Sequence, residues 1–91
     1  MTINYSARSL RQIKPIHDYI ARNDSAAADR TVQRIREAAR RLEVLPYSGR
    51  PGPHGTRILS VPNLPYVIIH RARGDAIDIL AVFRTARNRR I

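Results

Sequence analysis

The run Tyr66-Val67-Ile68-Ile69-His70-Arg71-Ala72-Arg73 is followed by Gly74-Asp75 and then by Ala76-Ile77-Asp78-Ile79-Leu80-Ala81-Val82-Phe83. Both flanking runs are dense in valine and isoleucine, whose branched side chains suit a pleated, half-buried surface. Gly74-Asp75 supplies a turn that tolerates positive φ, so the stretch predicts an antiparallel hairpin around Arg73-Gly74-Asp75. Strict alternation in the second strand would place Ile77, Ile79, Ala81 and Phe83 on one face, with Leu80 and Val82 on the other.

Upstream of the hairpin, Thr56 to Val61 reads as a further strand, joined to it by the turn Pro62-Asn63-Leu64-Pro65. Before that, Pro46 to Gly55 carries three prolines and three glycines and is expected to be a loop without regular structure. Asp24 or Ser25 can cap a helix running to about Leu45, with the apolar stripe Ala28, Val32, Ile35, Ala39 and Leu42. Its other faces carry Arg30, Arg34, Arg36, Arg40 and Arg41. Leu10, Ile13, Ile16 and Ile20 mark an earlier helix from Ser9 to Arg22, capped by Ser6 or Ser9, in which Pro15 predicts a kink or a delayed start. Asn23-Asp24-Ser25 turns the chain between the two helices, and residues 2–6 form a short first strand. The order β-α-α-β-β-β groups helices with helices and strands with strands, which predicts an α+β fold. A helical hairpin covers one face of a mostly antiparallel sheet. With 91 residues, the chain (1–91) holds one domain and has no repeat or internal linker.

Charge is the dominant bulk property. Seventeen Lys and Arg against seven Asp and Glu give a formal net charge of +10, and Lys14 is the one lysine among them. Such an imbalance attracts nucleic acid or an acidic protein over long range. The chain has no cysteine, which excludes disulfides, thiolate metal sites and a cysteine nucleophile. Met1 to Arg8 has no apolar signal core, and Asp75 and Asp78 interrupt the richest apolar stretch far short of a membrane span. A soluble cytoplasmic protein, with no role at the membrane, is expected.

The residues for most catalytic chemistries are missing. His17, His54 and His70 fall on a predicted helix, loop and strand, without metal-ligand spacing, so no metal is expected. Ser48-Gly49 and Ser60 lie in no nucleophile-elbow motif. Asp75 and Asp78 are explained by turn chemistry and an exposed strand face. Gly49-Arg50-Pro51-Gly52-Pro53 carries too much proline for a phosphate-cradling loop, and no cofactor is expected. Arginine and tyrosine remain. Arg50 and Arg57 flank the Pro/Gly loop, Arg71 and Arg73 end one strand, and Arg84 and Arg87 follow the last. Strand ends can gather such groups over one region of the sheet. Guanidinium groups bind phosphate or carboxylate through paired hydrogen bonds and stabilise developing charge. Tyr66 can face a target or simply pack at a strand start.

Five segments, in order, carry a family resemblance: Ile16-His17-Asp18-Tyr19-Ile20-Ala21; Leu42-Glu43-Val44-Leu45-Pro46-Tyr47-Ser48-Gly49-Arg50-Pro51-Gly52; Gly55-Thr56-Arg57; Pro65-Tyr66-Val67-Ile68-Ile69-His70-Arg71; and Ile79-Leu80-Ala81-Val82-Phe83 with Ala86-Arg87. Together they resemble the RelE/ParE superfamily of bacterial toxins over almost the whole chain. The resemblance implies the toxin of a type II toxin–antitoxin system, a class tied to growth arrest and plasmid stabilisation. It implies a cognate antitoxin partner whose acidic, partly disordered segment wraps the toxin in a hetero-oligomer. RelE-like members cleave messenger RNA on the ribosome; ParE-like members poison DNA gyrase. Where many relatives place a histidine after the last strand, this chain has Arg84, and arginine cannot act as a general base at neutral pH. That departure favours the ParE-like reading, a gyrase inhibitor rather than an enzyme. Arg50, Arg57, Arg84 and Arg87 match family positions near the functional face and are the expected target contacts. The alternatives are a metal-independent, ribosome-dependent endoribonuclease using Arg57, Arg84 and Arg87, and a non-toxic basic nucleic-acid-binding module. One phenylalanine and no tryptophan argue against a base-stacking single-strand binder.

Overall fold

The hairpin lies at the centre of the sheet. In the computed structural model, which describes residues 1–85, β4 (Tyr66–Arg73) pairs antiparallel with β5 (Ala76–Arg84). Gly74 has φ +61° at the first turn position and Asp75 does not share it, the pattern of a type II′ hairpin turn. β3 (Arg57–Ser60) joins the free side of β4, again antiparallel. β1 (Thr2–Tyr5) joins the free side of β5 and runs parallel to it. The segment expected to be an irregular loop contains a two-residue strand, β2 (Arg50–Pro51), and a 3₁₀ turn at Pro53–Gly55. β2 forms because Arg50 pairs with Ile58 at the sheet edge, where the missing proline N–H costs no central ladder bond. The sheet order is therefore β1-β5-β4-β3-β2, mixed and mostly antiparallel.

Between β1 and β2 run α1 (Ala7–Ala21), α2 (Ser25–Arg40) and a 3₁₀ turn at Arg41–Glu43. The Ser6 hydroxyl caps α1, accepting from the Ser9 amide at 3.0 Å, and the Asp24 carboxylate caps α2 from the Ala27 amide at 3.0 Å. α1 runs through Pro15 without breaking. Pro15 lies on the exposed side of the helix, where the carbonyl its ring leaves unpaired can be solvated. Ile35, Ala38, Ala39 and Leu42 meet Ile13 of α1 and Ile68, Ile77, Ile79 and Val82 of the sheet in one core. Leu10, at the margin of the α1 stripe, stays 46 % exposed.

β5 departs from simple alternation. Ile69 stands opposite Ala81 and His70 opposite Ile79, so Leu80 is the extra residue of a β-bulge. Beyond it the inward set shifts by one position: Val82 joins Ile77 and Ile79 in the core, while Phe83 turns outward. Polar side chains of the helical layer stabilise the irregularity. Ser6 Oγ donates to the Leu80 carbonyl at 3.2 Å, and Gln12 Oε1 accepts from the Val82 amide at 2.8 Å.

Candidate functional site

Register fixes where the arginines stand. Arg57 pairs with His70 and shares its face, the face that also carries the core residue Ile68. Arg50 pairs with Ile58, one position along, and so lies on the opposite face at the same sheet edge. Arg84 pairs with Tyr66 at the other end of β4. Counting four residues along the strands and two strands across, Arg57 and Arg84 are separated by roughly 13 Å and roughly 10 Å in those directions. The structure brings Arg50 and Arg57 to one edge and places Arg84 elsewhere. Arg87 lies outside the described residues.

Arg84 belongs to a recess of its own. With Tyr66, and with Pro15, Ile16 and Tyr19 of α1, it lines a hollow of about 300 Å³. Tyr66 is only 6 % exposed, so it forms the floor, while Tyr19 and Arg84 stand at the mouth. Arg22 stacks over the Tyr19 ring at 5.6 Å. This arrangement can hold an apolar group beside an anion. Arg73 is already committed, donating from Nε and Nη2 to the Asp78 carboxylate at 2.7 and 3.0 Å. That fork holds the Asp78 carboxyl below its usual range. Arg71, in register with Asp78, is exposed.

The histidines are dispersed. His70 is fully buried, and its Nε2 donates to the Ser48 carbonyl at 2.9 Å. Burial pushes its pKa down; the Ser48 bond opposes this and the nearby Arg57 charge reinforces it. Its Nδ1 is buried without a hydrogen-bond partner among the described residues. His70 is thus a neutral structural imidazole with no open path to a substrate. His17 bridges the two helices by bonding Asp29 at 2.8 Å, which, with the adjacent Asp18, raises its pKa. His54 is exposed in the Pro53–Gly55 turn at φ +58°. Among the described residues no cluster of three or more His, Cys, Asp or Glu side chains could hold a metal, and no helix is long and apolar enough to cross a membrane.

Two further surfaces stand out, the first expected from the sequence and the second not. Arg30, Arg34, Arg36, Arg40 and Arg41 are all exposed and make the outer face of α2 strongly basic; Arg36 stacks on the Tyr5 ring at 5.1 Å. Arg34, Arg40 and Arg41, with Glu37, Glu43, Val44 and Pro62, surround an open cleft of about 560 Å³. Val44 at its rim, with Leu45 and Tyr47 next to it in the chain, protrudes from the passage after α2. The signal for this cluster was present as three large apolar side chains around Pro46, past the end of the buried stripe.

The fold agrees with that of known proteins. The family described as the ParE toxin of the type II toxin–antitoxin system parDE matches residues 3–89. The candidate toxin Y4kP of Sinorhizobium fredii is 41 % identical over 81 residues, covering 88 % of this chain and 83 % of that protein. A solved structure of the chromosomal ParDE TA system from P. aeruginosa contains a chain that superposes with a TM-score of 0.83 at 26 % identity, over 94 % of this chain and 97 % of that one. The chain therefore belongs to the ParE toxin family of type II toxin–antitoxin systems.

Proposed function

We propose that this chain arrests bacterial growth from the cytoplasm by binding and poisoning DNA gyrase, and that an antitoxin with an acidic, partly disordered segment neutralises it. The observation that carries this reading is that the imidazole paired with Arg57 is buried and already bonded, while no histidine lines the recess at Arg84. Cleavage of RNA requires a proton to leave the ribose 2′-hydroxyl and another to reach the departing oxygen. A guanidinium group neither takes up nor releases a proton readily, so Arg57 and Arg84 suit neither task. The imidazole beside Arg57 is His70, sealed in the interior with Nε2 committed to Ser48. A gyrase poison needs only a shaped basic surface that locks a protein–DNA intermediate, and a net charge of +10 steers the encounter.

The deciding experiment adds purified protein to a gyrase supercoiling assay and, in parallel, follows messenger RNA after induction in cells. The expected result is inhibited supercoiling, DNA damage and stalled replication, with bulk messenger RNA intact. Ribosome-dependent cuts at defined codon positions, with gyrase unaffected, would make the chain an endoribonuclease instead.

A further inference from the structure

The passage from α2 to β2 is tightly built, yet it holds its apolar side chains outward. The amides of Val44 and Leu45 both donate to the Arg41 carbonyl, at 3.1 and 3.0 Å. Ser48 closes the turn by donating from its amide and its hydroxyl to the Leu45 carbonyl, at 3.2 and 2.8 Å. From beneath, His70 Nε2 holds the Ser48 carbonyl. Gly49 lies so close to β3 that a Cβ there would sit 2.4 Å from the Ile58 carbonyl oxygen. On this fixed frame Val44, Leu45 and Tyr47 are 80, 61 and 66 % exposed. Single exposed hydrophobic residues need no explanation, but a cluster on a rigid loop marks an interaction surface.

The surroundings define the partner. Exposed Arg40 and Arg41 precede the cluster and exposed Arg50 follows it, with Glu43 the one acid between them. Valine and leucine side chains offer nothing to phosphates, so a protein surface fits better than nucleic acid. A net charge of +10 repels a second copy of the chain and favours an acidic partner. A protruding, preformed knob fits a recess in a folded protein, whereas a segment that folds on binding seeks grooves and strand edges.

We infer that Val44, Leu45 and Tyr47 form the anchor by which this toxin seats in an apolar, carboxylate-rimmed recess of its folded target protein, and that the antitoxin segment docks elsewhere. This rests on the reading of the chain as a toxin with a protein target. Few residues carry most of an interface's affinity, and they sit where a rim of polar contacts excludes water. Here the cluster is the anchor and the arginines are the rim.

The test is the full-length triple variant Val44→Ser, Leu45→Ser, Tyr47→Ser. Because all three side chains are largely in solvent, its thermal melt should stay within a few degrees of wild type. Its affinity for the cognate antitoxin should change less than about threefold, while growth arrest is lost and gyrase inhibition weakens at least tenfold. Undiminished growth arrest, or antitoxin affinity lost in parallel with toxicity, would overturn the inference. If the wild-type chain arrests growth without inhibiting gyrase and the variant does not arrest growth, the anchor stands and the gyrase assignment falls.

Discussion

His70 Nε2 donates to the Ser48 carbonyl at 2.9 Å, and this bond ties the middle of β4 to the loop that follows α2. It spans 22 residues of sequence, is partly buried, and fixes the histidine tautomer with hydrogen on Nε2. One consequence is acid sensitivity. A histidine with a depressed folded-state pKa contributes stability that is present above its ordinary value near 6.5 and is lost as pH falls below it. His17 acts with the opposite sign, because its raised pKa contributes stability at low pH that is lost as pH rises through the folded value. A His17→Gln variant should therefore lose melting temperature more steeply than wild type between pH 7 and pH 5. His70→Gln should flatten that dependence even if it melts lower throughout. Parallel profiles for the two variants would contradict this assignment.

Gly49 and Gly74 separate two costs of replacing glycine. Both have positive φ, +97° and +61°, but only at Gly49 would a new Cβ collide with backbone, 2.4 Å from the Ile58 oxygen. Gly74→Ala should cost about 1–2 kcal/mol, the ordinary price of a left-handed backbone. Gly49→Ala must also push β3 away, and its cost should exceed that of Gly74→Ala by about 1–3 kcal/mol. Urea denaturation of the two variants measures the difference, and equal losses would show that the close approach at Gly49 relaxes freely.

Arg84 is exposed at the mouth of a recess, so removing its guanidinium should change binding and not folding. Arg84→Ala should weaken gyrase inhibition by about tenfold, equivalent to about 1.4 kcal/mol, with an unchanged melt. Arg57→Ala should also cost stability, because Arg57 is partly buried and reaches the Gly49 carbonyl at 3.4 Å. Inhibition by Arg84→Ala equal to wild type would remove Arg84 from the target contacts.

Binding to the antitoxin should combine apolar burial with charge. The sheet face opposite the helices carries Ile58, Ile69 and Phe83 beside exposed arginines, so affinity should survive salt in large part. Titration between 50 and 200 mM salt should weaken binding by less than about tenfold. A nucleic-acid-like interface of six to ten phosphate contacts would lose about 10³–10⁵ over that range. A slope of that size would show that charge alone holds the complex.

The helices and the β4–β5 hairpin were legible because each depends on local chemistry. Ser6 and Asp24 cap helices within their own turn, and Gly74 makes the hairpin without distant help. Ala28, Ile35, Ala39 and Leu42 of the stripe are buried as its spacing predicts, and Val32 packs half-buried against them. What the sequence hid was set by contacts far apart along the chain. The bulge at Leu80 depends on Ser6 and Gln12, 74 and 70 residues from the backbone groups they satisfy. No periodicity within β5 reports this, and so Ala81 and Val82 exchanged faces relative to simple alternation. β2 exists only because β3 is there to pair with it. At the candidate site, residue type identified the arginines, but their separation follows from strand register, and the exposure of Val44, Leu45 and Tyr47 follows from how the loop is pinned.

The parallel pairing of β1 with β5 places residues 2–5 beside residues 76–79, with the Ser6 amide bonded to the Ile79 carbonyl at 3.0 Å. A polypeptide leaves the ribosome from its N-terminus, so residues 2–6 must wait for β5 before they have a sheet to join. At about 5–20 residues per second, making the intervening stretch takes about 4–15 s. Until then Ile3 and Tyr5 lack their strand neighbour, and Arg84 and Tyr66 are not yet side by side. The recess at Arg84 comes into being only once β5 has been made. For those seconds the nascent chain lacks the hollow that Arg84 and Tyr66 share.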